Sequence, residues 1–535
     1  MRTTSLRGAA AVTGAALVLG LGLSVPSAQA APIPGPSGAD PAPAAAAAAY
    51  LAAQPNGGNI LETVYGPGPT DKYDDYGLTI DAGYALDAAG GQTAKLTAMT
   101  NALVSNADNY YNAFSGTGAA AKLSAYLQSQ GRTGTLVDDL VGAVEDHIAT
   151  SGDTQGRLED PDDPGTMYDD DFNSPLTQAF AVASLHDAGS SLAGSTLDFL
   201  LDQQCAAGFF RASFSAKADT DQTCDGATSP TPSVDTTALS VLMLQDQKSA
   251  PAVSAALTEA LDWLVSQQGA NGSFSAGNAN ATGLAGWALG VSGRTAAAGK
   301  AALWLRGQQL ANAGSCTKYA AADAGGVALD SLGLANAATG PLSPVDKSVV
   351  TRATTQALPA LLWAPGGAAA GGTTLTGPGD FVKAGTAQTV TLAGAPGNTL
   401  CVTVGGTASR VVLDANGAAT VPVTMPATTA DVTVSSVDAG GEADSLTITG
   451  LAKARFKAKG PAKVELGSRF TIRFSGLEPG EHAVVKYAGK KLKKVANAKG
   501  VVKVRLKATK LGKRKVTIKG ELGARVGAKA VMVVR

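Results

Sequence analysis

From Ala44 to Ala364, apolar residues recur at three- and four-residue intervals, in segments separated by Gly- and Asp-rich breaks. That is the period of a helix with a buried face. Beyond Thr373 the period changes to two, as in TAQTVTLAG and AATVPVTM, which predicts short strands with one face inward. From Leu451 the alternation becomes sharper. KVELGSRFTIRFSG and VVKVRLKATKLGKRKVTIKG set Lys and Arg against Val, Leu and Ile, so charge is expected on one face of each strand.

The helical region repeats. FLLDQQCAAGFF (Phe199–Phe210) and WLVSQQGANGSF (Trp263–Phe274) share the pattern aromatic-L-x-x-Q-Q-x-x-x-G-x-F. Looser copies begin at Tyr50, Tyr126 and Trp304, and HIATSGDTQGRL fits with His147 in the aromatic slot and Leu158 in the phenylalanine slot. A second, more apolar helix follows most copies: GLTIDAGYALDAAG, SPLTQAFAVASLHDAG, SVDTTALSVLMLQD, NATGLAGWALGVSG and DAGGVALDSLGLA. Six hairpins with amphipathic outer and apolar inner helices predict closure into a ring around a central cavity. Trp263, Trp304 and Phe274 are expected to pack between helices. The glutamines should tie the end of each outer helix to the following turn. Trp287, on an inner helix, is expected to face the cavity.

The repeat resembles the QW-type repeat of the terpenoid cyclase and protein prenyltransferase superfamily, squalene-hopene cyclases included, with Phe210 and Phe274 where that repeat usually carries tryptophan. The resemblance implies an α6/α6 toroid. SVDTTALSVLML is also similar to the inner-helix repeats of the cobalamin carriers, which share it. The superfamily's chemistry transfers poorly. The prenyltransferase zinc set has a D-x-C that would fall near Asp235, where this chain reads DTT, and its histidines are His147, His186 and His482. No metal or cofactor is expected. Asp160-Pro161-Asp162-Asp163 matches the cyclase D-x-D-D in letters, making Asp160, Asp162 and Asp163 weak catalytic candidates. They stand in LEDPDDPGTMYDDDF, a Pro/Gly-rich loop expected to be solvated, whereas a proton donor to a polyene must be sheltered.

One feature recurs before the inner helices: Tyr73, Asp74 and Asp75 in KYDDYG; Tyr168, Asp169, Asp170 and Asp171 in MYDDDF; Asp235 in SVD; Tyr319 and Asp323 in TKYAAAD. In a ring of like-directed inner helices these loops share one rim. Helix capping accounts for Asp81, Asp235 and Asp323. The Tyr-Asp-Asp clusters exceed what capping needs and are read, with Trp287, as a cation site or a polar ligand mouth. Asp219, Asp221 and Asp225 in DTDQTCDG have the alternate spacing of a calcium loop without its downstream Glu, so a loop pinned by a disulfide is expected ahead of a cation site.

Charge and cysteines set the surroundings. Net charge is −1, yet from Leu451 onward 24 Lys and Arg face 4 Asp and Glu. The basic end sits on an acidic body and predicts an anionic partner, a cell-wall polymer or lipid headgroups rather than nucleic acid, with docking onto the acidic rim of the same or a neighbouring molecule as the alternative. MRTTSLR, the apolar run after it and Ala28-Gln29-Ala30 read as a secretory signal, and no later run is long and apolar enough to span a membrane. Outside the cell Cys205 and Cys224 should pair; Cys316 and Cys401, in different predicted domains, are expected as buried thiols ahead of a bridge. The expected organisation is a signal peptide at 1–30, an extended Pro/Ala-rich linker at 31–46, the toroid at 47–365, and Ig-like β-sandwiches at 371–450 and 451–535. The expected function is a secreted or wall-associated, non-catalytic toroid that binds a small or apolar ligand. A diverged terpene cyclase and a cobalamin-type carrier are the alternatives.

Overall fold

The computed structural model describes residues 35–68, 70–111, 116–161, 171–311, 314–366, 372–438 and 443–535. The expected signal peptide lies outside them, as do Asp162, Asp163, Tyr168, Asp169 and Asp170. The helices, in chain order, are α1 (Ala42–Ala52), α2 (Tyr76–Ala89), α3 (Thr93–Ser105), α4 (Ala107–Tyr111), α5 (Thr117–Ser129), α6 (Thr135–Glu145) and α7 (Pro175–Asp187). They continue as α8 (Ala193–Asp202), α9 (Val234–Met243), α10 (Pro251–Gln267), α11 (Ala279–Val291), α12 (Thr295–Gln308), α13 (Ser331–Ala337) and α14 (Pro344–Ala357).

Six of these pack on one another in a closed cycle: α2 on α5, α5 on α7, α7 on α9, α9 on α11, α11 on α14, and α14 back on α2. Outside them, α1 and α3 pack on α2, α6 on α5, α8 on α7, α10 on α9 and α12 on α11. The buried layer between holds Leu200, Phe210, Val241, Leu264, Phe274 and Leu289.

The sequence repeat appears as repeated bonding. The Nε2 groups of Gln204, Gln268 and Gln309 donate to the carbonyls of Gly208, Gly272 and Gly325 at 2.9, 3.0 and 3.0 Å. Each also donates at 2.9 Å to the next outer helix: to Ala256, to Ala297 and, for Gln309, to Pro43 in α1. The expected tie to the turn is therefore present, and the last copy returns to the first helix. Gly272 shows why the turn needs glycine. Its φ is +91°, and a Cβ there would fall 2.3 Å from the Lys300 carbonyl oxygen of the next outer helix. Gly325 makes the equivalent approach to Ala46, at 2.2 Å.

The sixth unit departs from expectation. DAGGVALDSLGLA was to supply the last inner helix, but its Gly325–Val327 portion forms a turn that bridges back to Gln309, and α13 is short. The sixth member is α14, PVDKSVVTRATTQA. Its period is hidden because Ser348, Thr351, Thr354 and Thr355 occupy buried positions. The hydroxyls of Thr351, Thr354 and Thr355 donate to carbonyls three or four residues earlier, so these side chains pack with little polar cost. The chain also turns helical earlier than the linker expectation allows. α1 starts at Ala42, with Pro41 and Pro43 setting its first turn, and Asp40 is held by Arg306 at 2.8 Å.

The strands follow. β1 (Glu62–Val64) and β2 (Lys72–Asp74) form a hairpin before α2. Next come β3 (Thr374–Thr376), β4 (Phe381–Lys383), β5 (Ala387–Ala393), β6 (Thr399–Val404), β7 (Thr407–Val412), β8 (Ala418–Thr424), β9 (Ala430–Asp438) and β10 (Ala443–Leu451). They form sheets β4-β10-β9-β6-β7 and β3-β5-β8, whose inward residues, among them Val390, Val423, Val402 and Val434, share one core. The last group is β11 (Ala454–Lys459), β12 (Lys463–Glu465), β13 (Arg469–Ser475), β14 (His482–Tyr487), β15 (Lys490–Val495), β16 (Val501–Lys507), β17 (Gly512–Lys519) and β18 (Arg525–Val534). β11 changes partner midway, from β18 to β13, and so joins two sheets over a core of Phe456, Ile472, Phe474 and Val516.

Cys205 pairs with Cys224, as expected. Cys316 and Cys401 are not buried thiols: they form a second disulfide, Cα–Cα 5.4 Å. The segment between Gln309 and Gly325 is longer than in the other copies, and it carries Cys316 out to β6. Peptide mapping without reductant should recover the peptides of Cys316 and Cys401 as one cross-linked species. Recovery of both as alkylatable thiols would contradict the pairing.

Candidate functional site

Each helix of the cycle is buried apart from stripes of half-buried residues. One stripe runs through Gly77, Asp81 and Tyr84 on α2, Asp235, Leu239 and Leu242 on α9, and Asn280, Leu284 and Trp287 on α11. Lys122 continues it on α5, and Arg352 and Gln356 on α14. The three- to four-residue spacing puts these residues on one line per helix. Each of these helices is flanked by two others of the cycle and backed by at least one helix outside it.

The chemistry of this face is divided. Where α14 and α2 meet, Arg352 donates to Asp75 at 2.7 Å and to Thr63 at 3.0 Å, while Asp75 caps the Leu78 amide at 2.8 Å. About one turn further in, Lys122 pairs with Asp81 at 2.6 Å, and its ammonium lies 5.6 Å from the Phe180 ring centroid. Burial is the largest influence and works against the Lys122 charge, but Asp81, Tyr110 and Asp75 together outweigh it and hold the ammonium above its ordinary pKa. Burial also pushes the Tyr110 hydroxyl up; its oxygen stands over Gly77. On α9 and α11 the half-buried positions are Leu239, Leu242, Leu284 and Trp287, beside Asp235 and Asn280. Three polar atoms there are buried without a partner among the described residues: Asp235 Oδ1, Asn280 Oδ1 and Trp287 Nε1.

The anticipated residues sort into three groups. Asp75, Asp160, Asp171 and Asp235 stand at or near the N-termini of α2, α5, α7 and α9. Asp160 accepts from the Thr117 amide and hydroxyl (3.1 and 2.8 Å) and from the Phe172 amide (3.0 Å), and so serves to clamp the start of α5. Asp171 pairs with Arg157 at 2.8 Å. Tyr73 and Asp74 are on the β2 hairpin, exposed. Tyr319 and Asp323 belong to the long segment before Gly325 and precede no inner helix, because α14 fills that place. Tyr319 donates to the Ala311 carbonyl, and burial lifts its hydroxyl to about 12; Asp323 is buried against Lys347 at 3.3 Å. All three capping assignments change: Asp81 lies in the second turn of α2 and pairs with Lys122, Ser233 and not Asp235 caps α9, and Asp323 ends a short 3-10 turn that it does not cap. Trp304 lines a cavity of about 540 Å³ between α12, α13 and the first β-sandwich, together with Leu334, Arg410 and Leu413. Asp219, Asp221 and Asp225 each accept hydrogen bonds from nearby backbone amides. No group of three or more metal-ligating side chains occurs among the described residues.

The repeat consensus does not mark the threonines that join the layers. Thr237, Thr282 and Thr354 accept from the amides of Phe210, Phe274 and Val327 at 3.0, 2.9 and 2.8 Å, and Thr79 accepts from Leu61 at 2.9 Å. For Thr79, Thr237 and Thr282 the sequence signal is a Thr at the fourth residue of the helix, as in GLTID, VDTTA and NATGL, whereas Thr354 comes late in α14.

Asp235 gives a pH prediction. Burial raises its folded pKa above the ordinary carboxyl value, so ionisation works against folding. The contribution is present below the ordinary value and lost as pH rises through the raised one. Asp235→Asn should raise Tm near pH 7 and change it little at about pH 3, where both states are protonated. An equal shift at both pH values would contradict this.

No protein-family model matches the chain, and no curated protein does. Among solved structures, the chain is similar to an Actinoplanes protein, at 16% identity over 59% of this chain and 100% of that one, TM-score 0.38. It is similar to the type II terpene cyclase MstE from Scytonema, at 15% identity over 60% and 99%, TM-score 0.38. It is also similar to the Yersinia pseudotuberculosis adhesin InvE, at 16% identity over 30% and 59%, TM-score 0.19. The chain thus spans less than two thirds of the adhesin's length. At these values the likenesses carry no function across. No helix among the described residues is long and apolar enough to cross a membrane.

Proposed function

We propose that the chain is a secreted or cell-wall-associated protein whose helices form an α6/α6 toroid, followed by two Ig-like sandwiches, and that it binds an amphipathic ligand in the mouth of the ring without turning it over. The closed order of helix contacts and the return of Gln309 to α1 support the toroid. The basic, apolar and A-x-A segments of the N-terminus support secretion, and two disulfides suit an oxidising compartment. One observation carries the binding reading: the stripes are charged on α14, α2 and α5, and on α9 and α11 they are apolar beyond Asp235 and Asn280 in the first turn. A ligand with an anionic or hydrogen-bonding head and an apolar body matches both halves. The diverged cyclase remains the second reading, favoured by Asp235, whose sheltered carboxyl has the raised pKa that a proton donor needs.

Titration with the amphipathic anion anilinonaphthalene sulfonate tests the binding reading. One saturable site is expected, weakened at least about tenfold by Lys122→Met and by Leu284→Asp, in variants that keep their helical spectrum. Equal binding by all three proteins would overturn it.

A further inference from the structure

We propose that the outward face of the β11–β13–β16 sheet is a docking strip for a flexible phosphodiester polymer without bases. The proposal rests on the wall association above and gives it a surface and a partner chemistry. Lys459, Arg473 and Lys503 stand directly opposite one another on the three strands. Arg505 lies opposite Thr471, and Lys507 opposite Arg469. All of these side chains are exposed. Strands are about 4.8 Å apart and every second residue is about 6.8 Å on, so the cations form a grid at that spacing.

Like charges directly opposite in a sheet are destabilising, so folding gives no reason to align them. Alternation of any polar residue with Val, Ile and Phe would build the same core. Within the three strands nothing offsets the charge: ARFKAK, RFTIRFS and VVKVRLK contain no carboxylate. Glu481 is buried on Arg525, and Glu521 pairs with His482 on the other sheet.

A regular row of cations fits a partner whose charge is regular and permanent, which phosphodiesters supply. Nucleic acid is disfavoured by the absence of a stacking surface, because Phe456, Phe470, Phe474 and Tyr487 are all buried. A lipid surface would suit the opposite sheet better, where Val526, Met532 and Val534 are exposed beside lysines. The β11–β13–β16 face offers only cations and hydroxyls.

The test uses the full chain and immobilised poly(glycerol phosphate). Lys459→Gln/Arg473→Gln/Lys503→Gln should weaken binding at least about tenfold at about 50 mM salt and flatten the slope of log affinity against log salt by about two. Lys486→Gln/Lys491→Gln/Lys493→Gln, on the other sheet, should stay within about threefold. Both triples replace exposed side chains, and unchanged melting shows that each has folded. Equal loss in both triples overturns the strip, as does tighter binding of an oligonucleotide or of phosphatidylglycerol vesicles. So does a concentration-dependent dimer that the first triple abolishes. If wild type and the first triple are released alike from cells by about 1 M salt, wall association stands and the strip falls. If neither is cell-bound, the wall association itself fails.

Discussion

Phe274→Ala lowers the stability of the helical region by about 3–5 kcal/mol. The ring is 1% exposed and sits in the layer between inner and outer helices, among Leu264, Ala285 and Leu289. The surroundings have little freedom to collapse into the space left behind. The Phe274 amide is held by Thr282 at 2.9 Å, Gln268 ties the turn to the next outer helix, and Gly272 lies against that helix. The void therefore persists, and its cost adds to the lost transfer energy. Phe274→Leu keeps much of the volume and should cost less. Urea unfolding followed by helical ellipticity measures both. A loss below about 1 kcal/mol for the alanine variant would show that the slot is not a packing site.

Glu481→Ala should cost the last sandwich a similar amount, about 3–5 kcal/mol. Glu481 and Arg525 are 0% and 2% exposed and meet through two bonds of 2.8 Å. Arg525 also donates to the Ala452 carbonyl, and its guanidinium lies 5.4 Å from the Phe456 ring centroid. Removing the carboxylate leaves a guanidinium in an apolar core with one neutral acceptor. Glu481→Leu/Arg525→Met removes both charges and should recover much of the loss, because the pair's cost of leaving water nearly equals its attraction. Calorimetry separates the outcomes: the single variant lowers the transition of the last sandwich, and the double variant restores it. Equal losses in both would mean that the ion pair itself contributes the stability.

Much of the frame was legible in the sequence because its determinants are local. The helix period, the Q-Q-x-x-x-G-x-F turn and the Lys/Val alternation are each written within a few residues. The sixth inner helix was hidden because α14 buries threonine and serine, which read as polar until their hydroxyls are satisfied within the helix. The Cys316–Cys401 bridge and the places of Tyr319 and Asp323 depend on a segment that leaves the repeat, and no period reports where such a segment goes. Asp81 and Lys122 meet across two helices. Each is the lone charge of an apolar stretch, GLTIDAGYAL and GAAAKLSAYL, at the sixth residue of α2 and of α5. That shared height was readable, but only once the two helices were known to be neighbours.

The central claim is that the ring encloses open space lined by the half-buried stripes of α2, α5, α9, α11 and α14. All four cysteines are in disulfides, so a cysteine introduced on the stripe is a unique probe. The measurement is the labelling rate of Leu284→Cys by a small methanethiosulfonate, beside Leu289→Cys, whose parent side chain is 0% exposed on the same helix. The account predicts that Leu284→Cys reacts at least about a hundredfold faster than Leu289→Cys and is protected by saturating anilinonaphthalene sulfonate, the rate difference reflecting the cost of opening a packed helix. Equal, slow labelling at both positions would show a filled ring and contradict it.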